Sequence, residues 1–446
     1  MPLSRLLFEI TAHIISYLEH PHLISASLVC KAWRLVLIPA LHRSVLISSG
    51  GRAIQFAHTI TSGGVVGSPS YITQSIRSLR IATPFRDNGC ITSLGLAALE
   101  SSMTYLTELR QFHCDVHNQL LINNTGFIKL AQTQCPKLET ASFDILGGLG
   151  IETHIERLFA TLLGFRNLVD YSLKVSYIVS GLSVETLRPL ESLAVNCPGL
   201  ESLKLDFSFE EYKGVTFYSY TPDMVAHSFG TSTMPLLHTL HLLGGLDQHL
   251  ESFSDSLPVG PHPFRDFLLR HPRIKDFKIG GPVTDRKSPD ISSENLARAF
   301  PSLKHVSAPN FVCADVLRST LATQIESLDV QIGSWGFELE GEFEPFPMPM
   351  LRQLHIREPG TIGLFALMRP VMPVVGGLEE LRIQTRTIPC ASHLEFLELL
   401  AYAPNLQTIG THFFSRHPEC EALIEEIKSR YPKANIIEDC PFVQLV

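Results

Sequence analysis

The run His113-Cys114-Asp115-Val116-His117 places three possible metal ligands within five residues. Imidazole and thiolate so close together are what a zinc centre takes, but such a centre needs a fourth donor. No second ligand cluster stands at zinc-like spacing, and there is no CxxC pair and no HExxH. GxSxG is absent, as are GxGxxG after a strand and GxxxxGK[ST], so neither a nucleophile elbow nor a phosphate cradle is supported. The segment therefore reads as a polar loop with a buried thiol. The chain reads as having no catalytic residues, no metal and no cofactor of its own, a metal-dependent enzyme at His113, Cys114 and His117 being the third alternative.

The elements around that run repeat. An apolar residue, two variable, an apolar residue, one variable and an apolar residue recur as Ile76/Leu79/Ile81, Leu168/Tyr171/Leu173, Leu200/Leu203/Leu205 and Leu237/Leu240/Leu242. The series continues as Ile274/Phe277/Ile279, Ile325/Leu328/Val330, Leu351/Leu354/Ile356 and Leu378/Leu381/Ile383. Weaker copies start at Leu106, Leu138, Leu303, Leu406 and Ala434, with start-to-start spacings of 22 to 37 residues. The last two apolar positions alternate with polar ones, as in a half-buried strand. Between them 151–165, 293–300, 391–403 and 418–431 read as helices, Ser392 and Glu395 having the spacing of a capping box. A unit this small cannot cover its own apolar face, and stacking neighbours solves that with one parallel sheet and a helical layer. The pattern resembles the leucine-rich repeat family in a long, irregular form. The resemblance implies an α/β solenoid over 76–446, strands on the concave face and helices on the convex face.

The first fifty residues break the pattern. Leu6, Ile10, Ile14 and Leu18 follow one another at intervals of four, the stripe of an amphipathic helix that Pro21 ends. A second apolar run, Leu23 to Cys30, leads into Lys31-Ala32-Trp33-Arg34. Three short helices in about 40 residues cannot build an independent core, so surplus apolar surface is left for a partner. Leu6-Leu7-Phe8-Glu9-Ile10, Ile14, Tyr17-Leu18, Leu23 and the run Ala26 to Arg34 resemble the F-box motif. Leu7 stands where that family usually has proline, and Cys30 reads as a packing residue. The resemblance implies binding of a Skp-family adaptor and, through it, a cullin, with Leu6, Ile10, Ile14, Leu18, Leu23, Leu28, Val29 and Trp33 as the contacts. A helical cap shielding the first strand edge is compatible with the same residues. The organisation expected is a helical module at 1–47 ending in a capping strand, a linker at 48–75 marked by Gly50-Gly51 and Gly63-Gly64, and the repeats from 76.

In such an array the variable strand residues face the concave side. The middle row contains Arg80, Arg110, Lys204, His241, Lys278, His355 and Arg382, the residues expected to meet a protein substrate. The flanking rows add Glu108, Asp170, Asp276, Glu380, Asp144 and Asp206, so the face is mixed rather than basic, and a phosphorylated peptide is the minority reading. Two insertions stand out: the aromatics Phe207, Phe209, Tyr212, Phe217, Tyr218 and Tyr220, read as packing on the sheet edge, and the alternating Phe337 to Glu344, read as an extra strand.

Composition agrees. Of 446 residues 45% are apolar and 18% charged, and the formal net charge is −8. That excludes a disordered chain and disfavours nucleic acid as a general partner. Nine widely spaced cysteines argue for a reducing compartment, cytoplasmic and/or nuclear. The longest uncharged stretch, Ala53 to Ile76, is full of Gly, Ser, Pro and Thr and cannot be a membrane span, so no membrane is expected. The function that the resemblance implies is a substrate-recognition subunit of an SCF (Skp–cullin–F-box) ubiquitin ligase, binding the adaptor through the N-terminal module and a protein substrate through the repeats. The alternative is a leucine-rich-repeat interaction scaffold not coupled to ubiquitination.

Overall fold

The structure, a computed structural model, describes residues 10, 13–15, 17–61, 72–82, 92–117, 124–146, 155–176, 182–208, 220–246, 253–254, 262–280, 291–332, 344–357, 361–385, 388, 390–413 and 418–438. The chain divides into two compact units, Met1–Val179 with Ser192–Leu200, and Ser180–Glu191 with Glu201–Val446.

The first unit opens with helical residues 13–15 and the helices His20–Ser27 and Lys31–Leu41. Five strands follow: β1 Ser44–Ile47, β2 Ser78–Ala82, β3 Gln111–His117, β4 Thr140–Leu146 and β5 Asp170–Ser176. They pair in chain order, every pair parallel. Helices Gly50–Thr61, Ser93–Met103, Gly126–Gln134 and Ile155–Leu162 connect them. The second unit holds β6 Ser202–Phe207, β7 Thr239–Gly244, β8 Asp276–Ile279, β9 His305–Pro309, β10 Ser327–Gln331, β11 Gln353–Arg357, β12 Glu380–Thr385, β13 Thr408–Phe413 and β14 Asn435–Glu438. These too pair parallel in chain order, with a helix or a short helical turn between most neighbours. Each unit is an α/β repeat array.

Register explains the apolar pattern. Leu79/Ile81, Phe112/Cys114, Ala141/Phe143 and Tyr171/Leu173 are buried at matching positions, as are Leu203/Leu205, Leu240/Leu242, Leu328/Val330 and Leu354/Ile356. Aromatic rings link rungs and helices: Phe112 meets Phe127 at 6.2 Å and Phe143 at 5.8 Å, and Phe277 meets Phe264 at 6.3 Å and Phe300 at 4.7 Å.

Two copies slip against the sequence pattern. Leu106 and Leu109 are both buried ahead of β3, and the strand's inward residues are Phe112 and Cys114, so the copy begins at Leu109, not Leu106. Ile436, not Ile437, aligns with Ile409, which moves the last copy back by one residue.

Other local expectations change as well. Within 48–75, residues 50–61 are a helix, not a linker. Gly50-Gly51 reads as flexible because glycine disfavours helix, but Gly50 serves close packing. A Cβ on Gly95 would sit 2.9 Å from the Gly50 Cα, so only two glycines let these helices approach so closely. Pro21 stands in the first turn of His20–Ser27, where its missing N–H is no loss. Ser392 precedes the helix His393–Leu400 but makes no capping bond, because its backbone is already helical, and Glu395 pairs with Arg369 at 2.6 Å instead. Side-chain caps occur instead at Thr92, Ser183, Thr221, Ser292 and Ser319.

Phe207 and Tyr220, the two ends of the aromatic insertion, are buried with ring centroids 5.0 Å apart, and the Tyr220 hydroxyl donates to the Leu243 carbonyl at 2.6 Å. Phe209, Tyr212, Phe217 and Tyr218, like Phe337 to Phe343, lie outside the described residues. Gly244, just after Leu243, has φ +88°, and a Cβ there would overlap the Phe207 carbonyl. Gly244→Ala is expected to destabilise the fold by about 1–3 kcal/mol, read as a fall in the denaturant midpoint with native-like circular dichroism.

His271 gives a pH prediction. It is buried, its Nδ1–H donates to the Phe267 carbonyl at 2.7 Å, and its Nε2 accepts the Met234 N–H at 2.9 Å. Protonating Nε2 destroys that acceptor. Burial above all, with Arg270 adding to it, pushes the pKa down against the opposing pull of the Phe267 carbonyl. The unfolded state therefore takes the proton first. The contribution to stability is full above about pH 6.5, the ordinary histidine value, and is lost as pH falls below it. Urea midpoints should fall from pH 7 to pH 5 more steeply in the native chain than in His271→Gln.

Candidate interaction surfaces

Among the described residues the N-terminal helices enclose a very small core. Ile15, Leu23 and Leu37 are buried together, and Leu18, Ala26, Trp33, Val36, Ala40 and Leu41 pack around them. Little else can be covered. Ile10 is 51% exposed, Ile14 45%, Leu28 69% and Val29 72%, and Tyr17, Ile24 and Leu35 are exposed too. The stripe expected from the four-residue spacing thus faces outward at Ile10 and Ile14, while Ile15 turns inward.

Leu28 and Val29 protrude because they form the turn between two helices. Their N–H groups donate back to the Ser25 and Ala26 carbonyls at 3.2 Å each. Cys30 then starts the second helix. It is exposed rather than packed, and its Sγ accepts the Trp33 N–H at 3.5 Å, an N-cap role in a position read as packing. Arg34 Nε reaches the Ser27 carbonyl at 3.4 Å and ties the helices together.

The eight expected contacts therefore separate. Ile10, Ile14, Leu28 and Val29 are open to a partner, Leu18 and Trp33 are half-buried against the small core, Leu23 lies inside it, and Leu6 is outside the described residues. Tyr17, Ile24 and Leu35 join the exposed set without being among the expected contacts. Ile24 lies one helical turn before Leu28, and that spacing is the signal that could have found it.

The second surface is the polar face of the strands. In the second unit Lys204, His241, Lys278, His355 and Arg382 share one register row with Ser307, Asp329 and Gly410. In the first unit Arg80 aligns with His113, Ser142 and Ser172. Arg110 is not in that row. The slipped copy puts it just before β3, where it pairs with Glu139 at 2.9 Å.

Much of the second-unit row is held in internal polar contacts. His241 Nε2 meets Asp276 at 3.0 Å, and burial outweighs that partner and lowers its pKa. His355 lies 3.6 Å from Glu380, which also binds Arg382 and accepts from Gln353 at 3.0 Å. Burial lowers the His355 pKa against the pull of Asp329 and Glu380. Asp329 accepts from Ser307 at 3.0 Å and holds Arg357 at 2.6 Å. Both histidines are thus neutral at pH 7, and the row is a preformed polar network rather than a free cationic stripe.

The His113-Cys114 run is strand, not loop. Period-two alternation sends Cys114 into the core and His113 to the opposite face, so the two cannot ligate one ion. Burial drives the Cys114 and Cys313 thiols far up and the Cys135 thiol up to about 12. Among the described residues no group of three His, Cys, Asp or Glu is arranged to hold a metal ion, and no helix is long and apolar enough to cross a membrane.

Two outcomes follow. Site-resolved alkylation of the native chain should label Cys30 rapidly and leave Cys114, Cys135, Cys197 and Cys313 unlabelled until denaturant is added. Leu28→Asp with Val29→Asp should change stability by less than about 0.5 kcal/mol per site, whereas Leu37→Ala should cost about 2–5 kcal/mol, both read from denaturation midpoints.

No curated protein matches this chain. A solved structure of the Rad7 and Elc1 complex in yeast is similar over 92% of this chain and 93% of that one, at 13% identity and a TM-score of 0.36. Residues 8–48, the stretch that carries the small core and the exposed apolar side chains, match the family described as F-box-like, so the chain carries an F-box-like region followed by a repeat array.

Proposed function

We propose that this chain is the substrate-recognition subunit of an SCF (Skp–cullin–F-box) ubiquitin ligase. Its N-terminal module docks on a Skp-family adaptor, and through it on a cullin. The repeat arrays hold a protein substrate. The observation that carries this reading is the exposure of Ile10, Ile14, Leu28 and Val29 on a stretch that matches the F-box-like family. A module with so small a core keeps such side chains exposed at a solubility cost unless a partner covers them. Large apolar residues held out on a turn are suited to be energetic anchors.

The chain supplies position rather than bond-making. Holding a substrate beside a ligase-bound ubiquitin carrier raises effective concentration and needs no catalytic residue here. The setting of that role is the cell interior, and its target is a protein, not a nucleic acid or a membrane. The polar strand face is the expected substrate surface. Its paired charges select by geometry and hydrogen bonding more than by net charge.

The test is capture of the chain by a purified Skp adaptor. The native chain should bind, and the Leu28→Asp/Val29→Asp variant should lose at least about a hundredfold in affinity, since two desolvated apolar anchors each contribute about 2 kcal/mol or more, with an unchanged melting curve. Trp33→Ala is the weaker probe, because Trp33 also supports the small core. Equal binding by the variant, or no binding by a folded native chain, leaves a repeat scaffold not coupled to ubiquitination.

A further inference from the structure

In the first unit the residue just before each strand forms a ladder along one rim of the sheet. Arg77 N–H donates to the Arg43 carbonyl, Arg110 N–H to Arg77 and Glu139 N–H to Arg110, each at 2.8 Å. Successive rungs lie about 4.8 Å apart, so the side chains they carry are close neighbours. Three consecutive rungs carry arginine, each followed by a polar residue: Arg43-Ser44, Arg77-Ser78 and Arg110-Gln111. Ser44, Ser78 and Gln111 share one register position.

Adjacent guanidinium groups repel unless anions lie between them. Two of the three are matched from the next rung. Arg77 pairs with Glu108 at 3.5 Å, and Arg110 with Glu139 at 2.9 Å. Glu108 is also held by Lys137 at 2.5 Å, and that hydrogen bond above all lowers its pKa. The rule fails at Arg43. The rung that should supply its acid supplies Arg77, and the residue at the place equivalent to Glu108 is Ser75. Among the described residues Arg43 has no ion pair, and the Ser44 and Ser78 hydroxyls and the Gln111 amide make no side-chain hydrogen bond.

These groups line an open cleft of about 480 Å³, bounded on one side by Ala40 and Leu41 at the end of the helix Lys31–Leu41. Its one lining carboxylate, Glu139, is already committed to Arg110.

We infer that this cleft is a binding site for an acidic peptide segment, one side-chain oxyanion of which takes the place beside Arg43 that Glu108 and Glu139 take beside the next two arginines. The Arg43 guanidinium makes a charge-assisted, two-pronged contact, and the Ser44 and Ser78 hydroxyls donate to the same group. Carboxylate and phosphate share this chemistry. The site is distinct from the exposed apolar cluster and does not depend on adaptor binding.

The experiment uses the full chain on an array of one peptide set made in three versions, with serine, glutamate or phosphoserine at the varied positions. Binding to the glutamate or the phosphoserine version above the serine version is expected, and which of the two is retained identifies the oxyanion. Arg43→Gln should lower that binding about tenfold or more, the loss of one charge-assisted contact. Lys275→Gln removes a rim cation of the second unit that likewise has no ion pair among the described residues, and should leave the binding unchanged. Arg43 is exposed, so its variant should melt like the native chain, and the comparison is made only after that is verified. Equal retention of all three versions, or equal binding by Arg43→Gln and the native chain, overturns the assignment.

Discussion

The repeats depend on burying two or more apolar side chains from each of the strands β2 to β12 against helices from the same and neighbouring repeats. A single turn of chain, short helix then short strand, leaves that apolar stripe open on both sides. The parallel register closes it: Leu79 beside Phe112 and Ala141, Leu203 beside Leu240, Leu354 beside Leu381. The hydrogen-bonded ladder adds direction, but the side chains set the register, because a shift by one residue would turn the buried row outward. The alternate residues are thereby committed to the opposite face, which is why polar side chains from distant parts of each unit end in one row.

The N-terminal module is the counterpart. Among the described residues it has a core of three residues and a rim of half-buried neighbours, too little to follow the same rule. Its remaining large apolar side chains cannot be folded away, and the turn at Leu28-Val29 holds two of them outward. An interaction surface here is the arithmetic result of having more apolar area than core to hold it. The repeats present the opposite case: their outward face is polar and, in the second unit, wired into its own ion pairs at Asp329 and Glu380 and a hydrogen bond between His241 and Asp276.

Much of this was legible in the sequence. The apolar spacing located the strands, and the run from Leu23 to Arg34 located the helical module. What was not legible has physical causes. The β3 copy was misplaced because Leu106 and Leu109 are both apolar and both buried, so spacing alone could not say which begins the copy. That slip carried Arg110 into the wrong row and hid the rim ladder of Arg43, Arg77 and Arg110. The helix 50–61 was missed because its glycines oppose helix locally and are justified only by the neighbouring helix at Gly95. Among the expected adaptor contacts, periodicity could not separate Leu23, which fills the core, from Leu28, which leaves it, since both are leucines of one amphipathic stretch.

The central claim is that the exposed apolar cluster of the N-terminal module is a docking surface for a Skp-family adaptor. Hydrogen–deuterium exchange of the full chain, with and without saturating purified adaptor, tests it most directly. The account predicts slowed exchange in the peptides that span residues 10–41, with the strands of the second unit unchanged. Slowed exchange confined to the repeats, or no change anywhere at saturating adaptor, would contradict it.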